Sequence, residues 1–431
     1  MKILKLVRVG AAALAVFSVC DRSVAAPPVQ CPDVPGLWTL PFKLPVYWDR
    51  PDSPKFTYRF QIQPATGRPP AEAPFGIVLS GGAGAPSIGT AAGTIFPDTF
   101  NVIYTDVRGA GCNLGGDPQG GPFPADALTT EYFSRDVLAL VRTLRLPAYV
   151  LYGVSYGTVH ATVMTHIAQS EGIQAPSAIV LEGILGNWWI NEREVDDYNR
   201  EWNTAKSLLP PGVVSTFQAS SSPYGISSSD WMLLLTKTLN AGTTRLLGNN
   251  TYFWLHRLDT ADQDEFILVK ALIQAEIARI KEGFRSDTAR VANILHCTET
   301  QHTVYTKDLV NGEIVNTGED KCAGWHIPFL RPYDSRLYPV VNVPIYYFEG
   351  SQDPNTSPAN AHYHFEHQTQ TDRLYLLVSL GGHTDLSGTL HQMGCTPGIF
   401  EAIAMNNGPG LQAALEQCRW RMLPERLRPG E

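Results

Sequence analysis

Long apolar runs are missing from this sequence beyond its N-terminal leader. No later stretch reaches the roughly 18 apolar residues that a membrane helix needs, so stable membrane insertion is not expected. No two cysteines stand in a CxxC spacing, which argues against a cysteine-based zinc site, and neither a metal nor any other cofactor is expected. No repeat of fixed period and no low-complexity block is found. Charge is sparse: only 17% of residues are ionic, and the balance is −8. A diffuse negative charge argues against nucleic acid and anionic membrane surfaces as partners. What the sequence has instead is 44% apolar residues, 37 glycines and 32 prolines, the composition of a loop-rich globular protein rather than a coiled coil.

The N-terminus reads as a signal peptide. Lys2, Lys5 and Arg8 form a basic segment, Val9 to Cys20 an apolar one, and Val24-Ala25-Ala26 offers small residues for cleavage near Ala26. Loss of residues 1–26 would remove four cations and one anion and take the charge to −11. A lipid anchor on Cys20 is the rival reading, but Phe17-Ser18-Val19 lacks the small residue such a site wants directly before the cysteine. Cleavage leaves six cysteines, an even set suited to an oxidising, secreted or periplasmic setting: Cys31, Cys112, Cys297, Cys322, Cys395 and Cys418. Pairing in sequence order (31–112, 297–322, 395–418) is one of fifteen connectivities, favoured because two of the pairs are close along the chain.

From Leu44 two extended segments flank a Pro-Asp-Ser-Pro turn, with Phe56, Tyr58 and Phe60 alternating onto one face. Strands are predicted at 76–80, 101–105, 149–152, 178–181, 343–348 and 374–380, with helices at about 133–144 and 158–168. Strands alternating with helices imply a mostly parallel sheet covered on both faces. Between residues 187 and 335 the alternation stops. Trp188, Trp189, Trp202, Trp231 and Trp254 fall there, with an amphipathic helix over Asp264–Gly283 whose apolar set is Phe266, Ile267, Leu272, Ile273, Ile277 and Ile280. The organisation expected is a leader (1–26), a first core part (27–186), a mainly helical cap insertion (187–335) and a second core part (336–431). The tryptophans would roof the site or build the cap's own core.

Gly153-Val-Ser155-Tyr-Gly157 fits a nucleophile elbow. A serine hydroxyl becomes a useful nucleophile only when held exposed, next to a base and to oxyanion donors, and a sharp strand-to-helix turn needs flanking glycines. The pentapeptide is short, but it follows a predicted strand and opens a predicted helix. An acid and a histidine should follow in that order. Asp353 and His383 each lie just past a predicted strand, where such sheets place catalytic groups. A turn-capping aspartate and a loop histidine are the bland alternatives. His391 is the closest competitor, and His362, His364 and His367 are read as a solvated helix face rather than a metal site. The oxyanion donors expected are the amides of Tyr156 and of Gly82, in the glycine turn after Ser80.

Together these segments resemble the proline iminopeptidase and tripeptidyl aminopeptidase group of α/β-hydrolase peptidases. Leu44–Pro51, Ser80-Gly-Gly-Ala-Gly84, Asp106-Val-Arg-Gly-Ala-Gly111, Gly153–Gly157, Glu182-Gly, Asp353-Pro-Asn-Thr-Ser-Pro and Gly382-His383 follow in the group's order. Ser80 and Ala83 stand where the group carries histidine and proline, and Glu182 where it tends to have aspartate. The resemblance implies an α/β-hydrolase fold with a cap, the triad Ser155, Asp353 and His383, and a supporting role for Arg108. It also implies release of N-terminal residues or short peptides, with a cap carboxylate, here Glu299, gripping the free amine. A secreted esterase acting on small esters through the same triad is the second reading. A non-catalytic binding protein on the same scaffold is a remote third, since it should have lost a triad member.

Overall fold

In the computed structural model, the residues described are 27–32, 36–89, 95–115, 121–242, 250–283, 286–325, 329 and 331–418. The proposed leader and Cys20 lie outside them.

Nine strands form one twisted sheet. They are β1 (Val29–Gln30), β2 (Trp38–Pro45), β3 (Lys55–Gln63), β4 (Phe75–Leu79), β5 (Asn101–Thr105), β6 (Tyr149–Val154), β7 (Ala178–Glu182), β10 (Ile345–Gly350) and β11 (Arg373–Val378). Their order is β1-β2-β3-β5-β4-β6-β7-β10-β11. From β5 to β11 all neighbours run parallel, while β1, β2 and β3 pair antiparallel at the edge. The strands expected from apolar patterning are all present. The parallel ones are buried on both faces, so they read as continuous apolar runs rather than as alternation. Residues 77 and 79 of β4 pack into one buried cluster with the helices Thr130–Leu144 and Tyr156–Ser170. Val78 packs into another, with helices near the C-terminal end of the described chain.

The sheet fixes where a site can lie. The chain leaves β4 for β5 on one side and returns to β6 on the other. Such a reversal opens a crevice beyond the C-terminal strand ends. Leu79 pairs with Gly153 and Glu182 with both Val154 and Phe348, so the loops after β4, β6, β7 and β10 emerge side by side.

Between β7 and β10 lie helices and a small antiparallel hairpin, β8 (Thr306–Val310) with β9 (Glu313–Thr317). This cap has its own core, in which Trp202 and Trp231 are fully buried and Trp254 packs at the edge. Trp188 and Trp189 are half-buried instead, stacking edge-on with Phe329 and Tyr363. The long helix, Gln263–Gly283, differs from expectation. It buries a narrow stripe of Val269, Ile273 and Ile277 flanked by Phe266 and Ile280, while Ile267 and Leu272 are exposed. A helix seated on a small cap covers one narrow seam, so residues on the flank of an apolar arc stay in solvent.

Three disulfides join Cys31–Cys112, Cys297–Cys322 and Cys395–Cys418, the sequence-order pairing. No helix among the described residues is long and apolar enough to cross a membrane.

Candidate active site

Ser155 sits between β6 and the helix Tyr156–Ser170, with φ 54° and ψ −124°. A positive φ on a non-glycine residue costs on the order of 1–3 kcal/mol and persists only where the surroundings impose it. They do so here. A β-carbon on Gly153 would overlap the Gly157 carbonyl, and one on Gly157 would overlap the Leu79 carbonyl, so both glycines of the pentapeptide are required. The Ser155 amide is tied to the Glu182 carbonyl at 2.8 Å, and its side chain remains partly exposed.

Asp353 and His383 meet. Asp353, fully buried in the loop after β10, accepts from His383 Nδ1 at 2.8 Å through Oδ2. The amides of Asn355 (2.8 Å) and Thr356 (3.0 Å) donate to Oδ1, and the Thr356 hydroxyl donates to Oδ2 at 2.7 Å. Burial would raise the Asp353 carboxyl, but His383 and these donors outweigh it and hold it below the usual range. Burial conversely lowers His383, and the Asp353 charge more than offsets that, leaving the imidazole raised. His383 follows β11, 9% exposed, and its amide donates to the cap carbonyl of Asn240 at 2.7 Å. Ser155 and His383 lie against one corner of the backbone: Ser155 bonds to Glu182, and a β-carbon on the next residue, Gly183, would stand 2.9 Å from His383 Nδ1.

The turn after β4 closes the site on the other side. A β-carbon on Gly81 would lie 2.9 Å from the Ser155 β-carbon, so Gly81 is the glycine packed against the elbow, with Gly82 next to it at φ 63°. Ala83 has φ 46°. Proline is locked near −65° and cannot adopt that angle. The alanine therefore marks a turn of different backbone shape from one carrying proline at this place.

A sheet with this strand order, a strained serine turn after β6, and an acid–histidine pair after β10 and β11 decide the architecture. The chain has an α/β-hydrolase fold. No protein-family model matches the sequence, and no curated protein matches it. Similar solved structures include a serine hydrolase from the polyaromatic hydrocarbon-degrading bacterium Cycloclasticus zankles (10% identity, 85% of this chain and 99% of that one, TM-score 0.45). An α/β hydrolase from a Medee basin deep-sea metagenome library aligns at 12% identity over 81% of this chain and 94% of that one (TM-score 0.42). A proline iminopeptidase from Mycobacterium smegmatis aligns at 13% over 88% and 99% (TM-score 0.40).

Other residues of this chain fall in places the sequence did not reveal. Glu299 is buried in the cap turn His296–Thr300, and its carboxylate accepts from the amide of Thr130 at 3.1 Å and from the Thr130 hydroxyl. That hydroxyl also meets the phenol of Tyr156, so the cap reaches the residue after Ser155 through one threonine. Burial pushes the Glu299 carboxyl up to about 7, against the opposing pull of Thr130 and Arg331. Two further carboxyls are buried near His383. Glu182 accepts from the Tyr152 phenol and the Ser387 amide, and Glu349 accepts from the Ile184 amide at 3.0 Å; burial raises both.

The competing histidines lie elsewhere. His364 is fully buried between Thr162 (2.9 Å) and Tyr347 (2.8 Å), not on a solvated face, while His362 and His367 are half-buried. His391 contacts Thr396 at 2.8 Å. No metal-binding group occurs among the described residues. Arg108 lies wholly buried against Asp136, with Nη2 at 2.5 Å, and among the described residues its other bonds go to the carbonyls of Pro45, Val46 and Ala127 rather than to the Ser155 turn.

Proposed function

We propose that the protein is an exported serine hydrolase working through an acyl-enzyme, and that it releases residues or short peptides from free N-termini. The observation that carries this reading is the convergence of the strained Ser155 and the Asp353–His383 pair on the Glu182–Gly183 corner. Ser155 attacks the scissile carbonyl and His383 takes its proton, then returns it to the leaving amine. Asp353 holds the tautomer and stabilises the imidazolium. The amides of Tyr156 and Gly82 receive the oxyanion. Water then resolves the acyl-enzyme. Three disulfides and the basic–apolar leader support export.

The roof bears on the choice between peptides and esters. The carboxylate of Glu299 is spent on Thr130, so amine recognition falls instead to Glu194, a cap residue whose charge acts on His383. Glu194 is paired with Lys307 at 2.8 Å, and a substrate ammonium would take the lysine's place.

Wild type and Ser155→Ala, assayed on aminoacyl and peptidyl amides with free and blocked N-termini and on simple esters, test this reading. Ser155→Ala should be inactive on all of them, and blocked peptides should be poor substrates. Equal turnover of blocked and free peptides would leave the esterase reading. Glu194→Gln should raise KM for free amines more than for blocked peptides or esters.

A further inference from the structure

The nitrogen of His383 that must receive the serine proton is occupied. Nδ1–H is committed to Asp353, so Nε2 carries the lone pair, and the side-chain amide of Asn355 donates to it at 3.0 Å. Among the described residues the Ser155 hydroxyl makes no hydrogen bond to His383. The backbone of Asn355 is fixed by its own bond to Asp353, and its side chain is half-buried. Its carboxamide oxygen faces the Tyr198 hydroxyl of the cap at 3.4 Å, while the same hydroxyl reaches Asn240 at 2.7 Å. The Tyr198 hydroxyl has one proton, and the shorter contact holds it more strongly than the longer one. The Asn355 carboxamide is thus the loosest member of the group around His383.

We propose that Asn355 gates the base: its amide holds His383 Nε2 in the empty site and yields it to Ser155 when the amide groups of a peptide draw the carboxamide away. The inference rests on the reading of Ser155 as nucleophile. A carboxamide offers two donors and an acceptor, the complement of a peptide unit. A simple apolar ester carries no N–H with which to complete that exchange. Asn355 is therefore a specificity-determining residue, favouring hydrogen-bonding acyl chains over bare esters.

Diisopropyl fluorophosphate is a probe without amide groups. The Ser155 oxygen bonds to phosphorus, the P–F bond breaks, fluoride leaves, and the hydroxyl proton passes to His383 Nε2. The rate of labelling therefore reads how available that nitrogen is. Full-length wild type, Ser155→Ala, Asn355→Ala and Asn355→Asp should be compared, with end-point labelling of one probe per chain reporting folded protein. Asn355→Ala should label up to about tenfold faster than wild type, the worth of one hydrogen bond, and its preference for peptides over simple esters should shrink by a similar factor. Asn355→Asp places a carboxylate on Nε2, so its labelling should slow and its acid limb should move to higher pH. Labelling of Asn355→Ala within twofold of wild type, with the preference for peptides over simple esters unchanged, would overturn the gate while leaving the nucleophile intact. Failure of wild type to label, or labelling of Ser155→Ala, would instead remove the nucleophile and the gate with it.

Discussion

Gly157 and Leu79 are packed backbone to backbone: a β-carbon on the glycine would overlap the carbonyl oxygen at the end of β4. A main-chain oxygen in the middle of a sheet cannot step aside as a flexible side chain can. Gly157→Ala should cost about 3 kcal/mol or more, or fail to fold. Gly115, which has nothing within 4 Å of its would-be β-carbon, is the control. Denaturant midpoints of the two alanine variants should differ clearly, and similar midpoints would show that the elbow is not clamped against β4.

In the proposed mechanism the charge of Asp353 on His383 sets the pH range of turnover. Neutral imidazole is the working form, and its value is raised above the ordinary 6.5. Activity should thus rise with pH along an acid limb centred above 6.5. Asp353→Asn removes the anion, so the limb should move down while kcat falls about 10⁴-fold. A limb in the variant at or above the wild-type position would contradict the pairing.

Glu299 gives a separate pH effect on stability. Its carboxyl is raised from 4.5 to about 7 in the folded protein, so the fold favours the neutral form. Its contribution is complete below pH 4.5 and is lost as pH rises through about 7. Glu299→Gln imitates the neutral acid at every pH. The stability of wild type relative to this variant should fall between pH 5 and 8 by on the order of 3 kcal/mol. Thermal melts at fixed pH steps measure it, and parallel curves would refute it.

Arg108 and Asp136 form a buried pair, with Nε at 2.8 Å from one carboxylate oxygen and Nη2 at 2.5 Å from the other. The guanidinium also lies 5.0 Å from the Phe56 ring centre and 5.3 Å from that of Tyr132. Removing one partner strands a charge in the core, so Asp136→Ala should cost about 3–5 kcal/mol. Replacing both residues with apolar ones of similar volume should recover most of that loss. A single variant as stable as wild type would show that the pair is not desolvated.

What the sequence disclosed and what it concealed follow from the range of the interactions. Ser155 was legible because its strain is imposed by neighbours two positions away, and glycine at 153 and 157 records that demand in the chain itself. Asp353 and His383 were legible as residues just past parallel strands. The bonds of Asn355 were not, because an asparagine in a turn looks the same whether its amide faces solvent or an imidazole 28 positions away. Glu299 was read as a possible amine anchor, but the contact that occupies it spans 169 positions to Thr130, which no spacing announces. Glu349 gave no signal because a carboxyl at a strand end is common, and only the sheet shows that it is sealed. The helix over Gln263–Gly283 was correctly expected, but periodicity reports the width of an apolar arc rather than how much of it a small cap can cover.

The cap is not an interchangeable lid. Among the described residues the His383 amide donates to Asn240 alone, and Gly242 lies so close to the 380–382 loop that a β-carbon there would stand 2.6 Å from the Gly382 nitrogen. A transplant that kept the nine-stranded layer and exchanged the roof would therefore deliver a base with one orphaned N–H and a slack loop. A scheme that shuffles such lids between scaffolds would have to carry this backbone seam along with the helices.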